Sequence, residues 1–231
     1  MALRLAHHAP GVGTRLVALG MRSFVILGGT ALASGEFSLE DLPATSGRLD
    51  VLVRSLRAAL LVSHGVRRDS VAYLVLGGGE RSPRTVRVDG ATAKFLRPDE
   101  RSLAILLKKS LLAPVAPDAE GFLAVRPGIA IARGGLEAVL AELGGATHCL
   151  LEPGGADLRS LPLASPSVAF YLGDHAGLSD DSRALLRSAG ALSVSVGPVE
   201  LHTEDVVTVV SNELDRRAQP VGGAPRREPA V

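Results

Sequence analysis

The chain has 231 residues, of which 46% are hydrophobic and only one, Cys149, is a cysteine. This suffices for one large α/β domain or two small ones with a real core, and no apolar run approaches the roughly 18 residues that span a bilayer. The lone cysteine excludes an internal disulfide and a multi-cysteine metal site, while the net charge of +1 gives no overall polycation signal of nucleic-acid binding. We therefore expect a soluble protein of a reducing, cytoplasmic compartment.

The basic residues are almost all arginine, since only three of the 25 are lysine. Arginine forks suit bidentate contacts with phosphate. A coding bias toward arginine and alanine explains the same composition, and composition alone does not separate the two explanations. Such a bias suggests a bacterial source.

The two ends of the chain show no pattern typical of packed structure. Residues 1–20 contain no acid and resemble a targeting segment only mildly, because no compact apolar core precedes a small-residue cleavage site. Residues 218–231 are rich in Pro, Gly and Arg and have no periodicity. We interpret both as disordered, which leaves one domain at 21–217.

Between these ends, short apolar strands alternate with segments of helical periodicity. The predicted strands are Phe24–Leu27, Val71–Leu76, Thr85–Val88, Ile129–Ile131, His148–Leu151, Val168–Leu172 and Ala191–Val194. The predicted helices are Leu49–Ser63, Glu100–Leu111, Gly135–Leu143, Asp180–Ser188 and Asp205–Leu214. This alternation predicts an α/β fold with a mostly parallel sheet and helices on both faces.

Two of the predicted strands end in glycine-containing loops near the C-terminus. One strand ends in Gly173–His175, and the other ends in a Gly197-Pro198 turn that precedes a helix. Glycine lets backbone donors and acceptors approach a ligand closely, so two such loops can form a cofactor cradle.

Two charged segments allow both a functional and a purely structural interpretation. Arg48 and Asp50 fall at a helix N-terminus, where backbone donors favour an anion, but a nearby Thr45 or Ser46 can simply cap that helix. Residues 67–69 hold two arginines and an aspartate just before a strand. They form either a phosphate clamp or a solvated turn.

Two histidines, His175 and His202, lie nearest to the predicted cradle. Neither has a convincing third partner for a metal, so we predict no metal site. No GxSxG nucleophile elbow occurs in the chain, which disfavours a hydrolytic triad.

From Met21 to about Arg217 the chain resembles the TrmY family of SPOUT methyltransferases. Six segments carry the resemblance in the family's order: GRLD at 47–50, SHGVRRD at 63–69, PDER at 98–101, LGDH at 172–175, GP-x-ELH at 197–202 and NELDRR at 212–217. It implies a homodimer with the SPOUT fold and a C-terminal trefoil knot, which general rules of chain topology would not predict.

The resemblance also implies a function. The chain is expected to be an S-adenosylmethionine (SAM)-dependent enzyme that methylates N1 of pseudouridine in the T-loop of tRNA. Two alternatives stay open: a SPOUT methyltransferase that acts on rRNA or another base, and a catalytically silent SPOUT-fold protein that binds RNA.

The site residues that follow from the resemblance fall near the C-terminus. Carried over by position, the SAM pocket comprises Leu150, Gly173, Val196, Gly197, Pro198, Val199, Glu200, Leu201 and Val206. Val206 is a departure, since the family often has cysteine there. Glu204 and Asp205 are more acidic than expected and could repel RNA phosphate near the pocket.

Methylation of N1 requires that this nitrogen lose a proton while the methyl group arrives. The two reactants must be oriented, and a proton acceptor must be positioned beside them. We expect Asp69 or Asp50 to accept the proton. The expected RNA-phosphate ligands are Arg48, Arg67 and Arg68.

Overall fold

The computed structural model describes residues 20–116, 120–163 and 165–218. The predicted disordered segments, 1–20 and 218–231, lie outside these ranges except for residues 20 and 218. Within these ranges, no helix combines the length and the apolarity needed to cross a membrane.

The described residues form ten strands and six α-helices. The strands are β1 (Met21–Leu32), β2 (Leu61–Val62), β3 (Gly65–Val66), β4 (Ser70–Gly78), β5 (Arg84–Asp89), β6 (Leu123–Arg126), β7 (Ile129–Ala132), β8 (Thr147–Asp157), β9 (Ser167–Gly173) and β10 (Leu192–Ser195). The helices are α1 (Leu42–Thr45), α2 (Leu49–Leu60), α3 (Glu100–Leu111), α4 (Leu136–Glu142), α5 (Asp180–Ser188) and α6 (Thr203–Ala218).

Eight of the strands form one sheet in the order β10-β8-β9-β1-β4-β5-β7-β6. Neighbours are parallel from β10 to β4 and antiparallel from β4 to β6. The prediction of a mostly parallel sheet is confirmed, and the C-terminal ends of β8, β9 and β10 share one edge. The trefoil knot stays a prediction, because strand order does not define how the chain is threaded.

Helices cover both faces of this sheet, as predicted. Alternate side chains of β1 point to opposite faces, so Phe24 and Ile26 pack with α2, α3 and α6 in one core. Val25 and Leu27 pack with α4 and α5 in the other. A sheet buried on both faces explains why the parallel strands are continuous apolar runs.

Most predicted elements are present, and the differences concern short or irregular ones. Helices α3 and α5 have the predicted bounds, and Asp99 caps α3 by accepting a hydrogen bond from the Ser102 amide at 2.8 Å. The sequence did not predict α1, the β2–β3 hairpin or β6, all of which have four residues or fewer. It also ended β8 too early, because residues 153–155 are Pro-Gly-Gly and indicate a loop.

Four charged residues form a network at the N-terminal edge of the parallel strands. The Arg22 side chain is 4% exposed and donates to Asp69 at 2.7 Å and to Asp215 at 2.9 Å. Arg67 donates to both carboxylate oxygens of Asp215, at 2.9 and 2.8 Å. A buried charge without a partner is strongly destabilising, so this network fastens the C-terminal half of α6 to the beginning of β1.

We expect Asp215→Asn to lower the free energy of unfolding by about 1–2 kcal/mol, because the variant leaves Arg22 with one carboxylate and Arg67 with none. The loss is smaller than for a fully buried pair, since the Asp215 side chain is 41% exposed. Urea unfolding measures it. Glu80→Gln, in an exposed turn, is the matched control.

The difference in unfolding free energy between the wild type and Asp215→Asn should depend on pH. Burial alone would raise the pKa of Asp215, but the hydrogen bonds and charges of Arg67 and Arg22 lower it below its usual range. Stability from this carboxylate is therefore complete above its unfolded-state pKa of about 3.9 and is lost as pH falls through the lower folded-state pKa. A gap between wild type and variant that stays constant down to about pH 2 would contradict this role.

Candidate active site

An open cavity of about 770 Å³ lies where β8, β9 and β10 end. Its walls come from these strand ends, from residues 196–202, and from the N-terminal parts of α2 and α6. Cavities of this size hold small-molecule ligands and cofactors. The position agrees with the rule that parallel α/β sheets bind ligands at the carboxyl ends of their strands.

Eight of the nine residues predicted to bind the cofactor line this cavity: Gly173, Val196, Gly197, Pro198, Val199, Glu200, Leu201 and Val206. Leu150 does not. It is buried in the core formed with α4 and α5, and Leu151 lines the cavity instead because successive side chains of a strand point to opposite faces. Contact between these residues and a cofactor stays a prediction.

The turn that follows β9 is held tightly. A Cβ atom on Gly173 would lie 2.1 Å from the backbone carbon of Gly177, so the turn has no room for a side chain. The buried Asp174 accepts a hydrogen bond from the Gly29 amide at 3.1 Å. The Thr203 hydroxyl donates to the Gly173 carbonyl at 2.9 Å. The turn is thereby joined to β1 on one side and to α6 on the other.

The segment between β10 and α6 lines the cavity. The backbone groups of Val199, Glu200 and Leu201 form no hydrogen bond with any residue that the structure describes. All three residues are exposed, so their backbone donors and acceptors are open to a ligand in the cavity. An adenine ring carries donors and acceptors that can pair with such groups, so this wall fits the adenine of SAM.

A charged network forms another part of the wall. Arg48 donates two hydrogen bonds to Asp50, at 3.0 and 3.1 Å. Arg54, one turn further along α2, donates to Asp50 at 2.9 Å and to Glu204 at 2.7 Å. Because Glu204 lies in the first turn of α6, the network connects α2 to α6 beside the cavity.

Arg48 is held in a strained backbone conformation. Its φ of 66° is left-handed, which costs a non-glycine residue roughly 1–2 kcal/mol. Arg48 occupies the N-cap position without a side-chain cap of its own, and the Ser46 hydroxyl accepts from the Leu49 amide at 3.1 Å. Of the two residues predicted to cap α2, Ser46 thus bonds its first amide, while Arg48 lines the cavity.

Both carboxylates of this network are ionised near neutral pH. Burial alone would raise the pKa of Asp50, but hydrogen bonds from Arg48 and Arg54 lower it. Burial alone would also raise the pKa of Glu204, but the hydrogen bond and the charge of Arg54 outweigh this effect, so the pKa of Glu204 is lowered too. Glu204 thus does not face RNA as an unpaired negative charge. Asp205 is exposed and is not a lining residue, so neither acid supports the alternative of a catalytically silent protein.

The remaining predicted site residues are not brought to this cavity within one chain. Asp69 and Arg67 belong to the network at the N-terminal edge of the sheet. Arg68 donates to the carbonyls of Gly90 and Ala91, at 3.1 and 2.8 Å. Their predicted roles in catalysis and RNA binding stay predictions.

The register of β1 gives the separation between the two edges. Asp69 contacts Arg22 near the beginning of β1, whereas Leu27 pairs with Gly173 at the cavity. Five residues of a strand correspond to about 16 Å. A group bonded to Arg22 therefore cannot touch a base that lies in the cavity of the same chain.

Several residues of the cavity wall escaped the sequence-based prediction. Arg54 follows Asp50 by four residues on a helix, a spacing that signals a side-chain pair. Glu152 accepts hydrogen bonds from Arg183 at 3.2 Å and from Ser193 at 2.7 Å, and no pattern in the sequence connects these residues.

The predicted histidines, His175 and His202, both line the cavity. Across the described residues, no group of three or more His, Cys, Asp or Glu side chains is arranged to hold a metal ion.

Comparison with protein families gives a match over nearly the whole described chain. Residues 21–219 match the family described as "Putative SAM-dependent RNA methyltransferase". The tRNA (pseudouridine(54)-N(1))-methyltransferase of Methanosarcina acetivorans is 38% identical over 208 residues, which cover 90% of this chain and 97% of the relative. The enzyme of the same name from Halobacterium salinarum is 42% identical over 195 residues, covering 84% and 96%.

These relatives correct one expectation. The homologues are archaeal, so the bacterial type suggested by the Ala/Arg-rich composition was wrong. A coding bias changes residue usage in any lineage and does not identify one.

A solved structure supports the fold independently. The crystal structure of Archaeoglobus fulgidus Nep1 bound to S-adenosylhomocysteine aligns with a TM-score of 0.59 at 17% identity, covering 86% of this chain and 98% of that one. The similarity confirms the predicted SPOUT-type α/β fold.

We expect Gly173→Ala to displace the turn after β9, because the new methyl group would meet the Gly177 backbone. Such overpacking costs about 1–3 kcal/mol of stability and should weaken SAM binding roughly tenfold or more in calorimetric titration. Gly145→Ala is the matched control, since a Cβ there meets no atom within 4 Å and lies outside the cavity. Equal SAM affinity of the two variants would exclude the turn from the cofactor site.

Proposed function

Because the chain belongs to the family of SAM-dependent RNA methyltransferases, whose model covers residues 21–219, we propose that it methylates N1 of pseudouridine 54 in tRNA. Relatives named for this activity match it over 97% and 96% of their own length. The observation that carries the proposal is the cavity at the ends of β8, β9 and β10, where free backbone groups and two arginines meet.

The cofactor would occupy the side of the cavity formed by residues 196–201 and the Gly173 turn. The free backbone groups of residues 199–201 would bind the adenine ring, and Val206 would contribute an apolar contact. Since backbone contacts do not depend on the side chain, the change from cysteine to Val206 leaves them intact. When bound, SAM supplies an electrophilic methyl group.

The RNA would be held by Arg48. Its side chain lines the cavity and is 40% exposed. A guanidinium has five N–H donors, and Asp50 takes two of them. Three donors therefore remain for an RNA phosphate or a carbonyl of the base, and Asp50 fixes their direction.

The reaction forms a bond between N1 and the methyl carbon, breaks the bond from that carbon to sulfur, and releases the N1 proton. A proton acceptor works best when its pKa is near the operating pH. The two arginines lower the pKa of Asp50, so we assign it the positioning of Arg48 and Arg54 rather than the acceptance of the proton. Asp69 stays the other proposed acceptor.

We also propose that the enzyme is a cytoplasmic homodimer. Exposed apolar side chains lie on β10, on α6 and on the segment between them, at Leu192, Val199, Leu201 and Val209. Apolar patches of this kind are typical of contact surfaces. The buried free thiol of Cys149 fits a reducing compartment.

The function is tested with two RNAs that differ at one nucleotide. We expect one-to-one SAM binding and methyl transfer to a tRNA with pseudouridine at position 54, but none to the same tRNA with uridine there. In uridine, N1 is bonded to the ribose and has no proton to lose. Nucleoside mass spectrometry locates the product. SAM binding without transfer, or methylation of another base, would contradict the proposal.

The role of Asp50 is tested by Asp50→Asn. The neutral amide no longer holds two arginines, so we expect kcat/KM to fall roughly 100-fold while the pH profile keeps its shape. Removal of a proton acceptor would instead change the acidic limb of that profile. Asp69→Asn makes the same charge change at the opposite edge of the sheet. Because Asp69 is the remaining proposed acceptor, we expect the folded variant to lose turnover; full turnover would exclude Asp69 as the proton acceptor.

A further inference from the structure

The loop between β5 and α3 displays an aromatic side chain to solvent. Phe95 is 83% exposed, more than any other large hydrophobic residue that the structure describes. Its neighbours Ala93 and Leu96 are buried in the core. The loop is therefore packed against the protein at a residue on either side of Phe95, while the ring itself points outward.

The backbone of this loop is strained and yet fixed. Phe95 has a φ of 63°, a left-handed conformation that is uncommon for bulky residues. The Asp89 carboxylate accepts hydrogen bonds from the Ala91 amide and the Thr92 hydroxyl, at 2.8 and 2.9 Å. The Arg68 side chain donates hydrogen bonds to the carbonyls of Gly90 and Ala91 at the start of the loop. Strain maintained by surrounding contacts in this way is typical of ligand sites.

Exposed basic side chains lie on the loop and next to it. Lys94 and Arg97 are exposed on the loop itself, and Arg126 is exposed at the end of β6, two residues before Gly128, which packs against the backbone of Ala93. None of the three forms an ion pair with a carboxylate in the described part of the chain.

The two acids that follow the loop are engaged elsewhere. Asp99 caps α3, and Glu100 lies 3.9 Å from Arg54, a residue of the cavity wall. Within the described residues, the loop and the end of β6 thus present three cations without an ion-pair partner beside one exposed aromatic ring.

The loop is also close enough to the cavity to contact the same substrate. Phe95 precedes Glu100 by five residues, so their Cα atoms are at most about 18 Å apart. Nucleotides that flank a base bound in the cavity can therefore reach the ring.

We propose that Phe95 stacks on an unpaired base of the RNA substrate while Lys94, Arg97 and Arg126 contact its phosphates. The proposal rests on the RNA methylation proposed above. Aromatic rings stack on any base, and proteins recognise the unpaired bases of RNA loops in this way. Any RNA strand supplies phosphates for the three cations, whereas a protein partner would have to present carboxylates at matching positions.

The chain contains no tryptophan, so Phe95→Trp provides a single fluorescent reporter that can still stack. We expect a pseudouridine-containing T-arm RNA to quench its fluorescence. Leu112→Trp, at the exposed C-terminal end of α3, is the matched control and should not be quenched. Bound RNA that leaves the fluorescence of Phe95→Trp unchanged would overturn the proposal.

The RNA affinities of variants distinguish the contribution of stacking from the contribution of charge. Phe95→Leu keeps an apolar side chain but cannot stack, so we expect RNA affinity to fall about tenfold with SAM affinity unchanged. Arg97→Ala and Arg126→Ala should each reduce the slope of log affinity against log salt by about one, whereas Phe95→Leu should not change it.

Failure of this inference and failure of the proposed function are distinguishable. Full RNA affinity in a folded Phe95→Leu protein, with wild-type methyl transfer, overturns the stacking alone. A smaller mass in light scattering, again with full RNA affinity, overturns it by assigning Phe95 to a protein interface. Wild-type protein that neither binds nor methylates the T-arm overturns the proposed function as well.

Discussion

The packing of α6 against α2 is the contact on which the cavity depends. Val207, Val210 and Leu214 are buried along α6, and an ion pair lies near each end of this helix: Glu204 with Arg54 of α2, and Asp215 with Arg67, which follows β3. The first turn of α6 and the segment before it form one side of the cavity. The residues that bond α6 at its two ends lie far from it along the chain, so these long-range contacts position one side of the cavity.

The two charge networks consist of the same residue types but have different roles. The exposure of their arginines to solvent determines the role of each network. At the N-terminal edge of the sheet, Arg22 is buried and Arg67 is engaged by Asp215, so the network acts as a structural connection. At the cavity, Arg48 is partly exposed and keeps donors that Asp50 does not occupy. An arginine that is hydrogen-bonded to an aspartate therefore has an ordered guanidinium. Whether a ligand can bind to it depends on how far the guanidinium is exposed to solvent.

This difference also shows what the sequence could and could not predict. Helices with a clear period, such as α3 and α5, have the predicted bounds, and the glycine turns at the cavity lie where the strand ends indicated. Asp69 and Asp50 were both predicted as proton acceptors of one site, but they lie at opposite ends of the parallel strands. A local motif does not show at which end of the sheet a residue lies. The pair formed by Arg54 and Glu204 joins residues 150 positions apart, so only the tertiary fold reveals it.

A net charge of +1 is compatible with an RNA-binding enzyme because the charges are unevenly paired. Acidic residues at key positions are engaged by arginines: Asp50 and Glu204 at the cavity, and Asp69 and Asp215 at the opposite edge. Lys94, Arg97 and Arg126 have no such partners among the residues that the structure describes. RNA responds to the local potential of the surface that it approaches, and acids that are already neutralised contribute little to that potential. The composition counts paired and unpaired charges alike, so it understates the local positive charge around Phe95.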